Sequence, residues 1–279
     1  MPADGDSDSP IPRPRLYGRS RGKALRAGQE RLLKEALPRV AIAPEALVSG
    51  SLFSFEPREL WLEIGFGSGE HLIAQAKCNP EVGFIGCEPF LNGVAAALSG
   101  IEREKLVNVR IRRGDVQTLL EAAPEGLFSR VFMLFPDPWP KRRHNKRRVV
   151  SEPIVAALAR TLRPGGELRF ATDIDDYAGW TLRRFLASPA FRWTAARAVD
   201  WRTPWPEWRP TRYEAKAHRA GRGSVYLNFV RVCANARPCA VFSGSGESRY
   251  QVVVSKGQSC RIASIAGRFS KASPRRRRR

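Results

Sequence analysis

The chain has 279 residues, with 48 Lys+Arg against 27 Asp+Glu and a formal charge of +21; its 43% apolar content supports a core and excludes a wholly disordered protein. No run approaches the roughly 18 apolar residues of a membrane span, the acidic start Met1 to Asp8 lacks the apolar stretch of a secretory signal, and five scattered cysteines without a CxxC pair speak against a disulfide framework or zinc site. The expectation is therefore a protein of a reducing cytoplasm whose basic surface meets a polyanion, nucleic acid before membrane.

Residues 1–23 read as a flexible arm, Asp/Ser/Pro-rich at first and basic from Arg13 to Lys23. Residues 24–37 follow as a helix, with Leu25, Leu32, Leu33 and Leu37 on one face and Pro38 ending it. Strands are then predicted at Leu60–Ile64, Phe84–Glu88, Val107–Ile111, Arg130–Phe135 and Glu167–Ala171. Helices are predicted at about 70–78, 91–103, 116–122, 149–162 and 175–187, with Arg163-Pro164-Gly165-Gly166 as a turn between helix and strand. This alternation reads as an α/β fold, a mostly parallel doubly wound sheet with helices on both faces. Phe191–Ala196 and Tyr226–Val232, with a loop between them, would close it with an antiparallel edge hairpin. Residues 233–279 hold eleven Lys+Arg against one acid, Glu247, and read as a largely disordered basic tail, leaving 24–232 as the folded domain.

The first strand runs into Gly65-Phe66-Gly67-Ser68-Gly69, where glycines allow a sharp turn and close approach of backbone to a ligand. The spacing is G-x-G-x-G rather than the G-x-G-x-x-G that seats a pyrophosphate, which disfavours a nicotinamide-dependent dehydrogenase. Glu63, just before the turn, would repel a pyrophosphate and suits a cation instead. Glu88 ends the second strand at the distance where an acid bonds ribose hydroxyls, and Asp115 follows the third strand near where an adenine would lie. Alone, Glu88 is a solvated strand end and Asp115 a helix N-cap. Together, in order along one sheet edge, they describe a site for a cofactor with ribose, adenine, a positive centre and no phosphate: S-adenosyl-L-methionine.

The fourth strand ends in Phe135-Pro136-Asp137-Pro138-Trp139-Pro140, which puts Asp137 on a stiff turn at the same edge. Six cations in eight residues follow, Lys141 to Arg148, beside a stacking surface in Trp139. Most charge runs are solvated faces, but this placement favours phosphate binding. His71, His144 and His218 lack metal-ligand companions, so RNA contact or solvation is expected of them. Asp173, Asp175 and Asp176 read as the acidic start of a helix rather than a metal site. For Trp193, Trp201, Trp205 and Trp208 packing is the default.

LEIGFGSGEH, GCEPF, RRGD, FPDPWPKRRHNKRR, ATD at Ala171 to Asp173 and TRYE at Thr211 to Glu214 resemble, in order, the bacterial tRNA (guanine-N7-)-methyltransferases. The resemblance runs from about Arg13 to Val232 and implies a Rossmann-like class I methyltransferase. Its implied reaction moves a methyl group from S-adenosyl-L-methionine to N7 of a guanosine in the tRNA variable loop. Glu63, Gly65, Gly67, Glu88, Asp115 and Asp137 would then bind cofactor, with Asp137 also catalytic. Lys141, Asp173, Thr211, Arg212, Tyr213 and Glu214 would bind substrate, and Arg143, His144, Asn145, Lys146, Arg147 and Arg148 the RNA. The other readings are a different RNA methyltransferase using the same cofactor and a non-catalytic RNA-binding protein on this fold; the intact set of acids speaks against the second.

Overall fold

The computed structural model describes residues 20–49 and 51–233, with the backbone of 251–256 and 259–264. Three short helices come first: α1 (Ala27–Glu35), α2 (Leu37–Val40) and α3 (Ala46–Ser49). Alternating elements follow as β1 (Glu59–Ile64), α4 (Glu70–Cys78), β2 (Val82–Cys87), α5 (Leu91–Arg103), β3 (Val109–Arg112), α6 (Val116–Ala122) and β4 (Phe128–Leu134). A 3-10 helix (Arg142–Arg147) leads to α7 (Glu152–Thr161), β5 (Leu162–Thr172), α8 (Asp175–Ala187), β6 (Phe191–Trp193), α9 (Val199–Arg202), α10 (Arg212–Arg219) and β7 (Val225–Arg231).

Seven strands form one sheet in the order β3-β2-β1-β4-β5-β7-β6. Neighbours from β3 to β5 pair in parallel, while β7 runs antiparallel to both β5 and β6. The strands are apolar on both faces because helices cover both, as a parallel sheet requires. Their period-2 alternation divides the core in two. Leu62, Ile85, Val131, Met133, Leu168 and Phe170 pack with α6, α7 and α8. Trp61, Phe84, Phe132 and Leu134 pack on the other face with Leu72 of α4, Leu98 of α5 and Leu32 of α1. The strand order reverses direction between β1 and β4, and the crevice beyond their carboxyl ends is where sheets of this kind bind ligands.

Helices α4, α5, α6 and α8 have the bounds expected from the sequence. Three local readings differ. Pro38 does not stop the first helix, which ends at Glu35; it occupies the first turn of α2, where a missing N–H costs nothing. Arg163 to Gly166 is a bulge inside β5, since Leu162 already pairs with Phe128 before the register resumes at Arg130 and Glu167. The segment between β6 and β7 is no simple loop, because it carries α9 and α10. Gln251–Lys256 and Ser259–Ser264 pair as a separate two-stranded antiparallel ribbon, β8 and β9, so Val252 to Val254 find a partner strand. The remainder of the tail and residues 1–19 of the arm lie outside the described residues.

Candidate active site

The chain leaves β1 at Ile64 and turns through Gly65, Gly67 and Gly69, all at positive φ, into α4. Only glycine holds such a sequence without strain. The turn also needs a glycine outside it, in α5, that its own motif does not reveal. A Cβ on Gly93, in the first turn of α5, would lie 2.3 Å from the Gly67 carbonyl oxygen, so α5 can dock on the loop only because that side chain is absent. Its signal was a glycine inside an otherwise helical run.

Glu88, just past β2, spans this docked pair. One carboxylate oxygen accepts the Gly67 N–H at 2.7 Å and the other the Phe90 N–H at 2.9 Å. Burial pushes its carboxyl above the usual range; the two N–H bonds oppose this, and the charges of Asp137 and Glu63 add to it. Asp137 and Glu63 thus both act on Glu88 through their charge. Asp115 caps α6 through the Gln117 N–H at 3.0 Å, leaving its other oxygen free. The structure therefore realises the cap reading of this residue, which follows the end of β3. Carboxylates with unused lone pairs around a glycine turn fit a ligand offering hydroxyls and a positive charge; S-adenosylmethionine has both.

His71 is neither solvated nor an RNA contact. It is 3% exposed, and its Nδ1 lies 2.8 Å from Glu63 Oε2. Its ring packs edge-on against Phe132 at 4.6 Å. Helical geometry explains the pairing, because the second residue of α4 points back over the β1 end.

Asp137 is exposed on its turn between two left-handed residues, Phe135 (φ 49°) and Trp139 (φ 43°). Such non-glycine conformations cost about 1–3 kcal/mol each and persist only where surrounding contacts hold them. Phe135 donates its N–H to the Ala171 carbonyl of β5. Trp139 is covered by the Arg147 guanidinium, 4.9 Å from the ring centroid, and meets the edge of His144 at 6.0 Å. Burial and the surrounding cations hold the His144 imidazole below its ordinary pKa.

The basic run is divided by this packing. Lys141, Arg142, Arg143 and Lys146 are exposed, whereas Asn145 and Arg147 are half-buried. Arg148 corrects the expectation of an RNA contact, because its side chain is 0% exposed and points inward.

Of the TRYE residues, Thr211 caps α10 by accepting the Glu214 N–H at 3.2 Å. Arg212 reaches across to Ser68 and to Glu70, 3.4 Å away. The Tyr213 hydroxyl lies against Gly67. Helix α10 and the glycine loop therefore meet, although 144 residues separate Arg212 from Ser68. Glu214 is 4% exposed and accepts hydrogen bonds from Trp208 Nε1 at 2.8 Å and from the Tyr226 hydroxyl. It lines an open cleft of about 670 Å³ together with Trp201, Trp208, Tyr226, His218 and Asp175. Asp173, past the end of β5, pairs with Arg222 at 2.7 Å. Arg202, Arg209, Lys216 and Arg219 are exposed on the cleft's loop and helices, cations the sequence reading did not select. Among the described residues no helix is long and apolar enough to cross a membrane, and no group of His, Cys, Asp and Glu is arranged to hold a metal ion.

Residues 57–227 match a family described as putative methyltransferases. The tRNA (guanine-N(7)-)-methyltransferase of Azorhizobium caulinodans is 52% identical over 218 residues, covering 78% of this chain and 95% of that one. Its namesakes in Nitrobacter hamburgensis and Rhodospirillum rubrum are each 48% identical, covering 77% and 80% of this chain and 86% and 90% of theirs. Among solved structures, a 16S rRNA (adenine(1408)-N(1))-methyltransferase from Catenulisporales acidiphilia overlaps 69% of this chain and 94% of its own at 16% identity and a TM-score of 0.47. With a family model matched over residues 57–227 and about half of the aligned residues identical to these relatives, the chain belongs to the tRNA (guanine-N7-)-methyltransferase family of S-adenosylmethionine-dependent enzymes.

Proposed function

We propose that residues 24–232 form the catalytic unit of a cytoplasmic enzyme that methylates N7 of a guanosine in the variable loop of tRNA. The observation that carries this reading is that Glu63 and Asp137 bring their charges to bear on Glu88 at the β1–β4 crevice, in a chain whose next segment exposes Arg142, Arg143 and Lys146. Glu63, Gly65, Gly67, Glu88, Asp115 and Asp137 would hold the cofactor, which when bound supplies a methyl group activated by a sulfonium. Glu88 and Asp115 accept from hydroxyl and amino groups, and Glu63 and Asp137 face positive charge.

Guanine N7 carries an in-plane lone pair, so no proton has to leave before the methyl group arrives. The protein's task is alignment and exclusion of water more than base strength. Asp137 accepts hydrogen bonds from the guanine edge and offsets the positive charge that grows on the imidazole ring. Lys141, Asp173, Arg212 and Tyr213 surround the base, the last two on a helix that Thr211 and Glu214 hold in place. Arg143, Lys146 and the neighbouring exposed cations take phosphates of the folded RNA, which makes binding salt-sensitive.

The test is incubation with labelled methyl donor and unmodified tRNA, followed by chemical cleavage at 7-methylguanosine. Label at a variable-loop guanosine is expected. Asp137→Asn should lower kcat by about 100- to 1,000-fold, the range for loss of a preorganised electrostatic group, and should weaken cofactor binding as well. Label on another base would overturn the substrate assignment, and wild-type kcat in Asp137→Asn would overturn the role of Asp137.

A further inference from the structure

The turn that presents Asp137 cannot hold itself. Pro136, Pro138 and Pro140 have no N–H to donate, and two of the residues framing Asp137 are left-handed. The tie comes from Arg148, the last cation of the basic run. Its Nε donates to the Pro138 carbonyl at 2.8 Å, one residue from Asp137. Its Nη2 pairs with Asp176 Oδ2 at 2.5 Å, in the first turn of α8. Its guanidinium lies over the rings of Tyr177 and Trp180, at 4.8 and 5.0 Å from their centroids. Trp180 is itself fixed, since its Nε1 donates to the Val150 carbonyl at 2.7 Å. A buried fork that spans a turn and a helix needs the planar geometry of Arg; a lysine ammonium offers a single point of attachment.

We propose that Arg148 is a positioning residue for methyl transfer: it clamps the Asp137 turn onto α8 and takes no part in RNA binding. The side chain offers nothing to a phosphate, being 0% exposed, whereas Lys146, two residues earlier, is open to solvent. The basic run therefore has two functions divided by burial, an outer face for RNA and, just past the 3-10 helix, an inner brace for the acid. This inference rests on Asp137 acting at the reacting centre, as argued above.

The experiment compares Arg148→Lys, Asp176→Asn and Lys146→Ala in the full chain. The readouts are kcat at saturating tRNA and cofactor, cofactor Kd, and tRNA Kd across a salt series. Arg148→Lys should lose about 10- to 100-fold in kcat, as expected when a reacting group is misplaced by an ångström or less. The salt slope of its tRNA binding should stay at the wild-type value, and its cofactor Kd should rise no further than in Asp137→Asn. Lys146→Ala should flatten that slope by about 0.7–0.9, one released counterion. Asp176→Asn, altered at an exposed carboxylate, should lose several-fold in kcat with the slope unchanged. Wild-type kcat in Arg148→Lys, or a slope flattened as in Lys146→Ala, overturns the proposal. Should Arg148→Lys fail to fold, Asp176→Asn decides, and wild-type kcat there overturns it. Failure of the Asp137 reading is seen separately, as wild-type kcat in Asp137→Asn.

Discussion

The two flanks of the crevice hold their acids by different means. On the β1–β2–β3 flank, Glu88 and Asp115 are fixed by backbone N–H groups of the turns beside them: Gly67, Phe90 and Gln117. On the β4–β5–β7 flank the ties are side chains from distant parts of the chain: Arg148 to Pro138 and Asp176, Arg222 to Asp173, and Trp208 and Tyr226 to Glu214. The first flank is built by strand ends and glycine turns, which any chain of this pattern makes locally. The second exists only after α8, α10 and the 203–211 loop have packed. A change on the first flank should act through backbone position, and one on the second through a polar network.

The strongest attempt to break that contrast is Gly93→Ala. Its Cβ would meet the Gly67 carbonyl oxygen at 2.3 Å and carbon at 3.0 Å, backbone that cannot swing aside. Overpacking of this kind costs about 1–3 kcal/mol. Equilibrium dialysis should show cofactor affinity lowered at least about tenfold, since each 1.4 kcal/mol passed to binding is a factor of ten. Wild-type affinity and melting temperature would remove backbone contact as the organising principle of the first flank.

Next is Glu214→Gln. An amide keeps one acceptor where Trp208 and Tyr226 both donate, so one buried donor is left unpaired at a cost of about 1–3 kcal/mol. The denaturant midpoint should fall while cofactor Kd holds. Unchanged stability with a raised KM for tRNA would instead place Glu214 on the substrate, and the second flank would then be less a scaffold than described here.

The smallest effect is a pH dependence. Burial, with Asp137 and Glu63 nearby, raises the Glu88 carboxyl above its ordinary value, so the folded protein binds that proton more tightly than the unfolded chain does. Its contribution to stability is fully present at acid pH, below the unfolded pKa, and is lost as pH rises through the raised folded value. Urea titrations of ligand-free wild type and Glu88→Ala should show the wild type losing ground to the variant as pH climbs from about 4 to about 7. A pH-independent difference would mean that the acids of the crevice do not strain one another.

Legibility follows the same division. Glu63, Glu88 and Asp115 could be read because each closes a strand or opens a helix whose periodicity is strong, and four helices carry their expected bounds. Gly93 escaped notice and His71 was expected to be solvated or on RNA for a local reason: a glycine in a helix and a histidine after a turn have many commoner explanations than contact with Gly67 or Glu63. Arg148 was grouped with its neighbours because a charge run shows sign but not direction. Arg148 leaves the end of the 3-10 helix in extended backbone, and its contacts with Pro138, Asp176, Tyr177 and Trp180 hold it inward.

The order of strands and helices, the glycine turn and the acids at strand ends were already determined by the sequence, since they follow from periodicity and steric permission acting within a few residues. Which cations face solvent, which of the TRYE residues are buried, and what holds Asp137 in place were decided by the tertiary structure alone. Those outcomes depend on groups up to 144 residues apart sharing hydrogen bonds. Burial selects among chemically similar side chains only when the packed neighbours are present.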